Sequence, residues 1–205
     1  MQVIAWDKSA LKRLNRLTDN ELDRDLVRKV QRILADVRAK GDLALRKYTR
    51  EFDGIDISLK RLRVSEGDIN RAFEKIQFEF VPLLKQVTDN VKQFYEKELG
   101  RSYRIKQRDG SFLEKVYYPL DRVGIYIPGG TAPLVSTVYM TVIPAKVAGV
   151  KEIVLVSPPS RETGDIDPHI LVVANLLGVQ EIYRAGGVQA IGALAFGTKT
   201  IRKVD

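Results

Sequence analysis

The sequence contains no cysteine and only one histidine, His169, among its 205 residues. Without cysteine there is no disulfide framework, zinc ribbon or thiol nucleophile, which fits a reducing compartment. A single imidazole cannot build a histidine-based metal site or relay protons for a nucleophile. His169 also follows an Asp-Pro pair typical of a helix start, which favours a capping or surface role. The composition therefore leaves almost no material for a metal site or a nucleophile that depends on histidine or cysteine.

Long apolar runs are missing as well. None approaches the roughly 20 residues that a membrane-spanning helix needs, and the first residues lack the apolar centre of a signal peptide. The composition, 44% apolar and 29% charged, is that of a globular protein. We expect a cytoplasmic protein that does not contact a membrane.

The positive charge is spread out and not concentrated. The formal net charge is +8, and residues 1–118 carry most of the excess, with 26 Lys and Arg against 19 Asp and Glu. Basic and acidic residues alternate there on helical faces, as in DLVRKVQRILADVRAKGD, which is typical of a solvated surface. Nucleic-acid binding requires a dense basic block or aromatic stacking platform. Because the sequence has neither, we predict no nucleic-acid partner.

Residues 1–118 are predicted to form a helical region that ends in a β-hairpin. The first amphipathic helix has apolar residues at three- and four-residue spacing: Leu22, Leu26, Val30, Ile33, Leu34 and Val37. Gly41 lies where a C-terminal cap belongs, and Gly54 closes a second helix in the same way.

Two further helices and the hairpin complete this region. Ser65 and Asp68 have the spacing of a capping box, which predicts a helix start. A longer helix is predicted from Phe80 to near Gly100. Asp109-Gly110 then separates two alternating segments, a strong short-range signal for a β-hairpin.

Residues 119–205 alternate between strand-like and helix-like segments. The apolar run at 123–127 predicts a buried strand that stops at Pro128-Gly129-Gly130. Thr131 is expected to cap the next helix, with Pro133 near its first turn, where a missing N–H costs nothing.

The same rhythm occurs twice more. The segment IVLVSPPS predicts a second strand, and Asp167 and Pro168 should cap and start the helix after it. Residues 181–184 predict a third strand, Gly186-Gly187 a second turn, and residues 189–196 a helix. This order predicts an α/β fold, in which a Rossmann-like parallel-sheet α/β/α domain, incomplete at its C-terminus, follows the helical region.

Both double-glycine turns are expected at the carboxyl ends of strands, where open parallel sheets bind ligands. A strand, a glycine turn and a helix N-terminus together favour an anion or phosphate site, but the pattern equally suits a tight turn without a ligand. Tyr126 and Gln189 lie at this mouth, where they suit binding of ribose, amide or adenine groups or packing within the turns. Neither the G-x-G-x-x-G nor the P-loop motif occurs.

Four motifs resemble the histidinol dehydrogenase family: VGIYIPGGTAPL from Val123, IPAKVAGV from Ile143, LVSPP from Leu155 and AGGVQAIGALAFGT from Ala185. The resemblance implies an NAD-dependent, zinc-containing enzyme of histidine biosynthesis. Such an enzyme oxidises L-histidinol to L-histidine through the aldehyde in two hydride transfers, has two similar Rossmann-like domains and forms a homodimer.

The resemblance assigns NAD contacts to Tyr126 and Gln189. The family's third NAD-contacting residue, its zinc ligands and its acid/base Glu-His pair belong to motifs expected after Asp205. We therefore expect an N-terminal half, with residues 119–205 as a truncated half-domain. It would carry part of the NAD site, be inactive alone, and form homo-oligomers, with an exposed strand edge available for pairing. The alternative is a non-catalytic module that binds an anion or nucleotide, or that dimerises.

Overall fold

The structure is a computed structural model, and it describes residues 23–129 and 133–205. The helices before the hairpin have the following bounds: α1 Arg24–Lys40, α2 Asp42–Asp53, a 3-10 turn Leu59–Arg61, α3 Glu66–Phe73 and α4 Phe80–Glu98. Gly41 and Gly54 cap α1 and α2 with positive φ angles of 53° and 74°. The predicted capping box is confirmed, because the Ser65 hydroxyl and the Asp68 carboxylate each accept the other's backbone N–H.

The predicted β-hairpin is confirmed. It consists of β1 Tyr103–Lys106 and β2 Phe112–Lys115, antiparallel, with Gly110 in the connecting turn at a φ of 90°. Every residue of both strands is exposed.

A three-stranded parallel sheet follows, with bounds β3 Arg122–Tyr126, α5 Val135–Val147, β4 Glu152–Ser157, α6 Pro168–Leu176, β5 Glu181–Arg184 and α7 Gly187–Phe196. The strand order is β3-β4-β5, with both pairs parallel. The predicted α/β class is therefore confirmed.

Helix starts were predicted with mixed success. The Asp167 carboxylate accepts the N–H of His169 at 2.9 Å, so it caps α6 as expected. Pro133 was predicted near the first turn of α5, and it lies two residues before that helix. Leu134 has a non-helical ψ of 63°, so the helix begins at Val135. The predicted cap, Thr131, lies outside the described residues.

The sheet is covered on both faces, and helices from the first hundred residues contribute to both layers. One apolar core joins alternate side chains of β3 and β4 to α3, α4, α5 and α6. The other joins the opposite face of β4 and β5 to α1, α2 and α7. Period-two alternation places successive strand residues in different cores, as with Leu155 in the first and Val156 in the second. The division into a helical region 1–118 and a half-domain 119–205 stays a prediction.

The two edges of the sheet differ. Residues 62–64 run antiparallel beside β5: Val64 donates its N–H to the carbonyl of Ile182 at 2.8 Å, and Arg184 donates to that of Leu62 at 2.8 Å. At the other edge the described residues border β3 at its start, where the N–H of Asp205 donates to the Arg122 carbonyl at 3.0 Å. Within the described residues β3 is therefore an edge strand of the sheet, and its availability for pairing with another copy stays a prediction.

Candidate nucleotide-binding site

The two residues predicted from sequence to bind a nucleotide both lie at the carboxyl edge of the sheet. Tyr126 ends β3, and Gly187 begins α7, whose first turn carries Gln189. The hydroxyl oxygen of Tyr126 accepts a hydrogen bond from the N–H of Gly187 at 3.2 Å. This bond ties the first strand to the last helix of the unit, across 61 residues of chain.

Gln189 is the most unusual polar group at this edge. Its side chain is fully buried, yet neither Oε1 nor Nε2 has a hydrogen-bond partner among the described residues. A Cβ atom placed on Gly187 would lie 2.7 Å from Oε1, so the amide folds back over the turn. An unsatisfied buried amide costs about 1–3 kcal/mol. Such a group at the mouth of a parallel sheet is suited to a ligand that offers both a donor and an acceptor.

The two glycine turns approach each other through one proline. A Cβ atom on Gly129 would lie 2.6 Å from Cγ of Pro158, and one on Gly186 would lie 2.4 Å from its Cβ. Side chains at either glycine would therefore collide with the ring. Both glycines are needed for close approach, and at Gly187 the φ of 61° adds a conformational reason.

The N-terminus of α7 supplies backbone donors to the same edge. The first N–H groups of a helix have no intrahelical partner, and the helix dipole is positive there. These are the features predicted for an anion or phosphate site. At the first turn, Gly130 and Thr131 lie outside the described residues, so the equivalent prediction there is untested.

Helix α2 lies antiparallel to α7 and brings its own C-terminal end to this edge. At one end the Thr200 hydroxyl donates to Asp42 at 2.7 Å, and at the other Nη2 of Arg161, in the loop after β4, donates to the Phe52 carbonyl at 2.9 Å. Burial raises the pKa of the Asp53 carboxyl, and the charge of Arg161 opposes this shift only in part. Nothing in the helical periodicity of α2 predicted this placement.

Two buried arginines were also missed. Arg184 ends β5 and is fully buried, and Arg122 begins β3 with 4% of its surface exposed. Each is paired with two acidic residues. The available signal was position: an arginine in a short strand segment that is expected to be buried, such as EIYR, must either reach solvent or find a buried partner.

The remaining candidate features are His169, possible metal ligands and a groove between helices. Nδ1 of His169 lies 3.0 Å from Oδ1 of Asp167, the residue that caps α6. Within residues 23–129 and 133–205 no group of three or more His, Cys, Asp or Glu side chains is placed to hold a metal ion. A groove of about 590 Å³ lies between α4, α5 and the end of α6, and neither Tyr126 nor Gln189 lines it.

Known proteins resemble this chain over most of its length. The family model described as histidinol dehydrogenase matches residues 17–205. The histidinol dehydrogenase of Carboxydothermus hydrogenoformans is 46% identical over 184 residues, which cover 90% of this chain and 43% of the relative. That of Bacillus cereus strain ATCC 10987 is 44% identical over 208 residues, covering 100% and 48%.

A solved structure agrees with these relatives. The crystal structure of histidinol dehydrogenase from Elizabethkingia anophelis matches with a TM-score of 0.83 at 40% identity, covering 88% of this chain and 41% of that one. The chain thus spans less than half the length of the relatives it matches.

Proposed function

The chain belongs to the histidinol dehydrogenase family, and we propose that its carboxyl sheet edge forms one wall of an NAD site for the oxidation of L-histidinol to L-histidine. In that reaction, NAD would accept one hydride when the alcohol is oxidised and a second when the aldehyde is oxidised. The contribution of this chain is binding and orientation. No catalytic residue is assigned to it, and alone it is proposed to be inactive.

The buried amide of Gln189 is the observation that carries the proposal. Oε1 can accept and Nε2 can donate, so the side chain can satisfy an amide or a ribose hydroxyl that presents both functions. Binding would also remove the cost of burying this amide unpaired. Because Gly187 has no Cβ, the amide can fold back over the turn.

Tyr126 acts beside Gln189. Its hydroxyl oxygen accepts a hydrogen bond from the Gly187 N–H. The hydroxyl proton can therefore still be donated to a ligand. The hydrogen bond also holds the start of α7 against the end of β3. The positive end of that helix then faces the cleft, where it favours a phosphate group.

No zinc ligand is proposed in this chain. The described residues hold no group of three or more His, Cys, Asp or Glu side chains placed to bind a metal ion. The prediction that zinc belongs to the full-length enzyme stays a prediction.

Calorimetric titration of the 205-residue chain with NAD tests the binding wall. We expect weak but measurable binding that Gln189→Ala abolishes. Substitution of Gln180, an exposed glutamine immediately before β5, by alanine should leave it unchanged. No heat at millimolar NAD, or equal affinity in the Gln189→Ala variant, would overturn the proposal. Steady NADH production from histidinol by this chain alone would overturn the assignment of a non-catalytic role.

Self-association is proposed as well. The hairpin strands are exposed throughout, and their large apolar side chains include Tyr103, Ile105, Phe112 and Leu113 at 52–63% exposure. An isolated two-stranded hairpin is marginal in water, so contact with a second copy would stabilise it. Sedimentation equilibrium should show a dimer that Phe112→Lys weakens, and a monomer at every concentration would contradict this.

No helix in the described ranges has the length and apolarity to cross a membrane.

A further inference from the structure

Arg184 is held from all sides at the carboxyl end of β5. Its Nε and Nη2 donate to the two carboxylate oxygens of Asp165 at 2.8 and 3.2 Å, and Nη2 lies 2.8 Å from Asp68. Nη1 donates to the carbonyls of Arg61 and Arg63 at 2.8 and 3.2 Å. Burial by itself lowers the pKa of this guanidinium, but the hydrogen bonds with both carboxylates outweigh it and raise the pKa above its usual value. The group therefore stays charged, and its orientation is fixed.

Asp165 passes this constraint to the loop between β4 and α6. Its carboxylate also accepts the N–H of Ile166 at 2.8 Å, and its carbonyl accepts the N–H of Ser160 at 2.8 Å. Ser160 in turn accepts the N–H of Gly164 through its carbonyl at 2.8 Å. Residues 160–166 thus form a closed turn whose position depends on the Arg184 side chain.

The first residue of that loop separates the two glycine turns. A Cβ atom at Gly129 would lie 2.6 Å from the Pro158 ring and one at Gly186 would lie 2.4 Å from it, so the ring is close to both glycines. Any shift of the loop therefore moves the two turns relative to each other. The hydrogen bond from Gly187 to Tyr126 spans the same gap and tolerates little change at 3.2 Å.

We propose that the buried ion pair of Arg184 with Asp165 positions the nucleotide cleft, because it holds the Pro158 loop and so sets the spacing of the two glycine turns. The inference rests on the proposed NAD site and deepens it. Arg184 itself is not proposed to touch the ligand. It is a positioning residue that acts through Asp165 and Pro158 on Tyr126.

The opposite edge of the sheet provides a matched control. Arg122 is buried like Arg184, donates to Glu181 at 2.9 and 2.8 Å and to Glu152 at 2.6 Å, but lies at the amino end of β3. Loss of one charge from either cluster should cost comparable stability. Only the cluster around Arg184 is connected to the glycine turns.

The test compares Asp165→Asn with Glu181→Gln in the 205-residue chain, using NAD calorimetry and amide hydrogen exchange. We expect Asp165→Asn to raise the Kd for NAD about tenfold, as for small misplacements of binding groups, and to speed exchange of the Gly187 amide more than that of the core. Glu181→Gln should change Kd less than about twofold. Equal effects of the two variants on Kd would show a merely structural role and overturn the inference.

A second variant keeps the inference falsifiable if Asp165→Asn does not fold. Pro158→Ala removes the ring atoms that touch Gly129 but leaves the ion pair intact, and it should weaken NAD binding to a similar extent. Unchanged affinity in Pro158→Ala would overturn the inference and leave the NAD site standing. Absence of NAD binding by the unsubstituted chain would overturn both.

Discussion

The hydroxyl of Tyr126 and the backbone N–H of Gly187 meet at 3.2 Å, joining the end of β3 to the start of α7. The contact joins the first strand of the parallel sheet to the helix that follows its last strand. In sequence, β4, β5 and two helices lie between the two residues. It also joins the tyrosine hydroxyl to the first turn of the helix that carries Gln189. The contact is the geometric basis for treating the edge as one wall of a cleft.

Tyr126→Phe should loosen this closure without disturbing the core. The Gly187 N–H loses its acceptor, which we expect to lower the free energy of unfolding by about 1 kcal/mol and to weaken NAD binding. Urea unfolding and calorimetry measure the two effects. Tyr139→Phe is the control, because that ring packs against the core on the opposite face of the sheet. Unaltered NAD affinity in Tyr126→Phe would remove the tyrosine from the site.

Gly187→Ala should damage the site by two routes. The residue has a φ of 61°, and the new Cβ would lie 2.7 Å from Oε1 of Gln189, which must then move. Gly54→Ala is a matched control, with a similar φ of 74° but nothing within 4 Å of the added atom. Backbone strain should cost each variant about 1–2 kcal/mol, whereas only Gly187→Ala should lose NAD affinity. Similar affinity in both would contradict the placement of the amide.

Gln189→Leu should make the protein more stable but unable to bind NAD. Leucine fills nearly the same volume without an unpaired buried amide, so we expect the free energy of unfolding to rise by about 1–3 kcal/mol while NAD binding is lost. Thermal unfolding with and without NAD measures both changes. A less stable variant would show that the amide is satisfied in solution, which would weaken the case for a ligand there.

Leu45→Ala tests whether the two predicted regions unfold separately. Leu45 on α2 is fully buried in the same core as Val154, Val156 and Tyr183 of the sheet. Loss of its side chain should cost about 2–5 kcal/mol and shift a single cooperative transition seen by both far-ultraviolet circular dichroism and tyrosine fluorescence. Two transitions, of which only one shifts, would instead support independent regions divided at residue 118.

Acid should weaken the ion cluster around Arg122. Hydrogen bonds from Arg122 hold the pKa of the Glu181 carboxyl below its ordinary value of 4.5, against the opposing effect of burial. The unfolded chain therefore binds this proton more readily, so stability is present above about pH 4.5 and is lost as pH falls further. Glu181→Gln should flatten the decline in unfolding free energy in that range, and the exposed Glu51→Gln should not. An unchanged pH profile in Glu181→Gln would contradict the pairing.

Local structure could be predicted from short stretches of sequence because its causes are local. Gly41 and Gly54 end helices because glycine adopts a positive φ without steric cost. Asp109-Gly110 forms a hairpin turn for the same reason. Capping by Ser65 and Asp167 depends on groups within three residues. Pro133 was the exception, because the non-helical Leu134 after it delays the helix.

The candidate site was only half predictable. Tyr126 and Gln189 could be placed at the same edge because parallel strands present their carboxyl ends together. Their contact through Gly187, and the wedge formed by Pro158, depend on distances between segments that no periodicity encodes.

The sequence by itself determined the α/β class, nearly all of the helix and strand positions, and the family, because each follows from spacing or from a motif that can be read along the chain. Only the tertiary structure decided that the early helices cover both faces of the sheet. It also decided that residues 62–64 border β5 and that Arg122 and Arg184 are buried ions. The physical reason is that a charged side chain is normally solvated. Its burial depends on carboxylates that the fold brings from distant parts of the chain, as with Arg184 and Asp68.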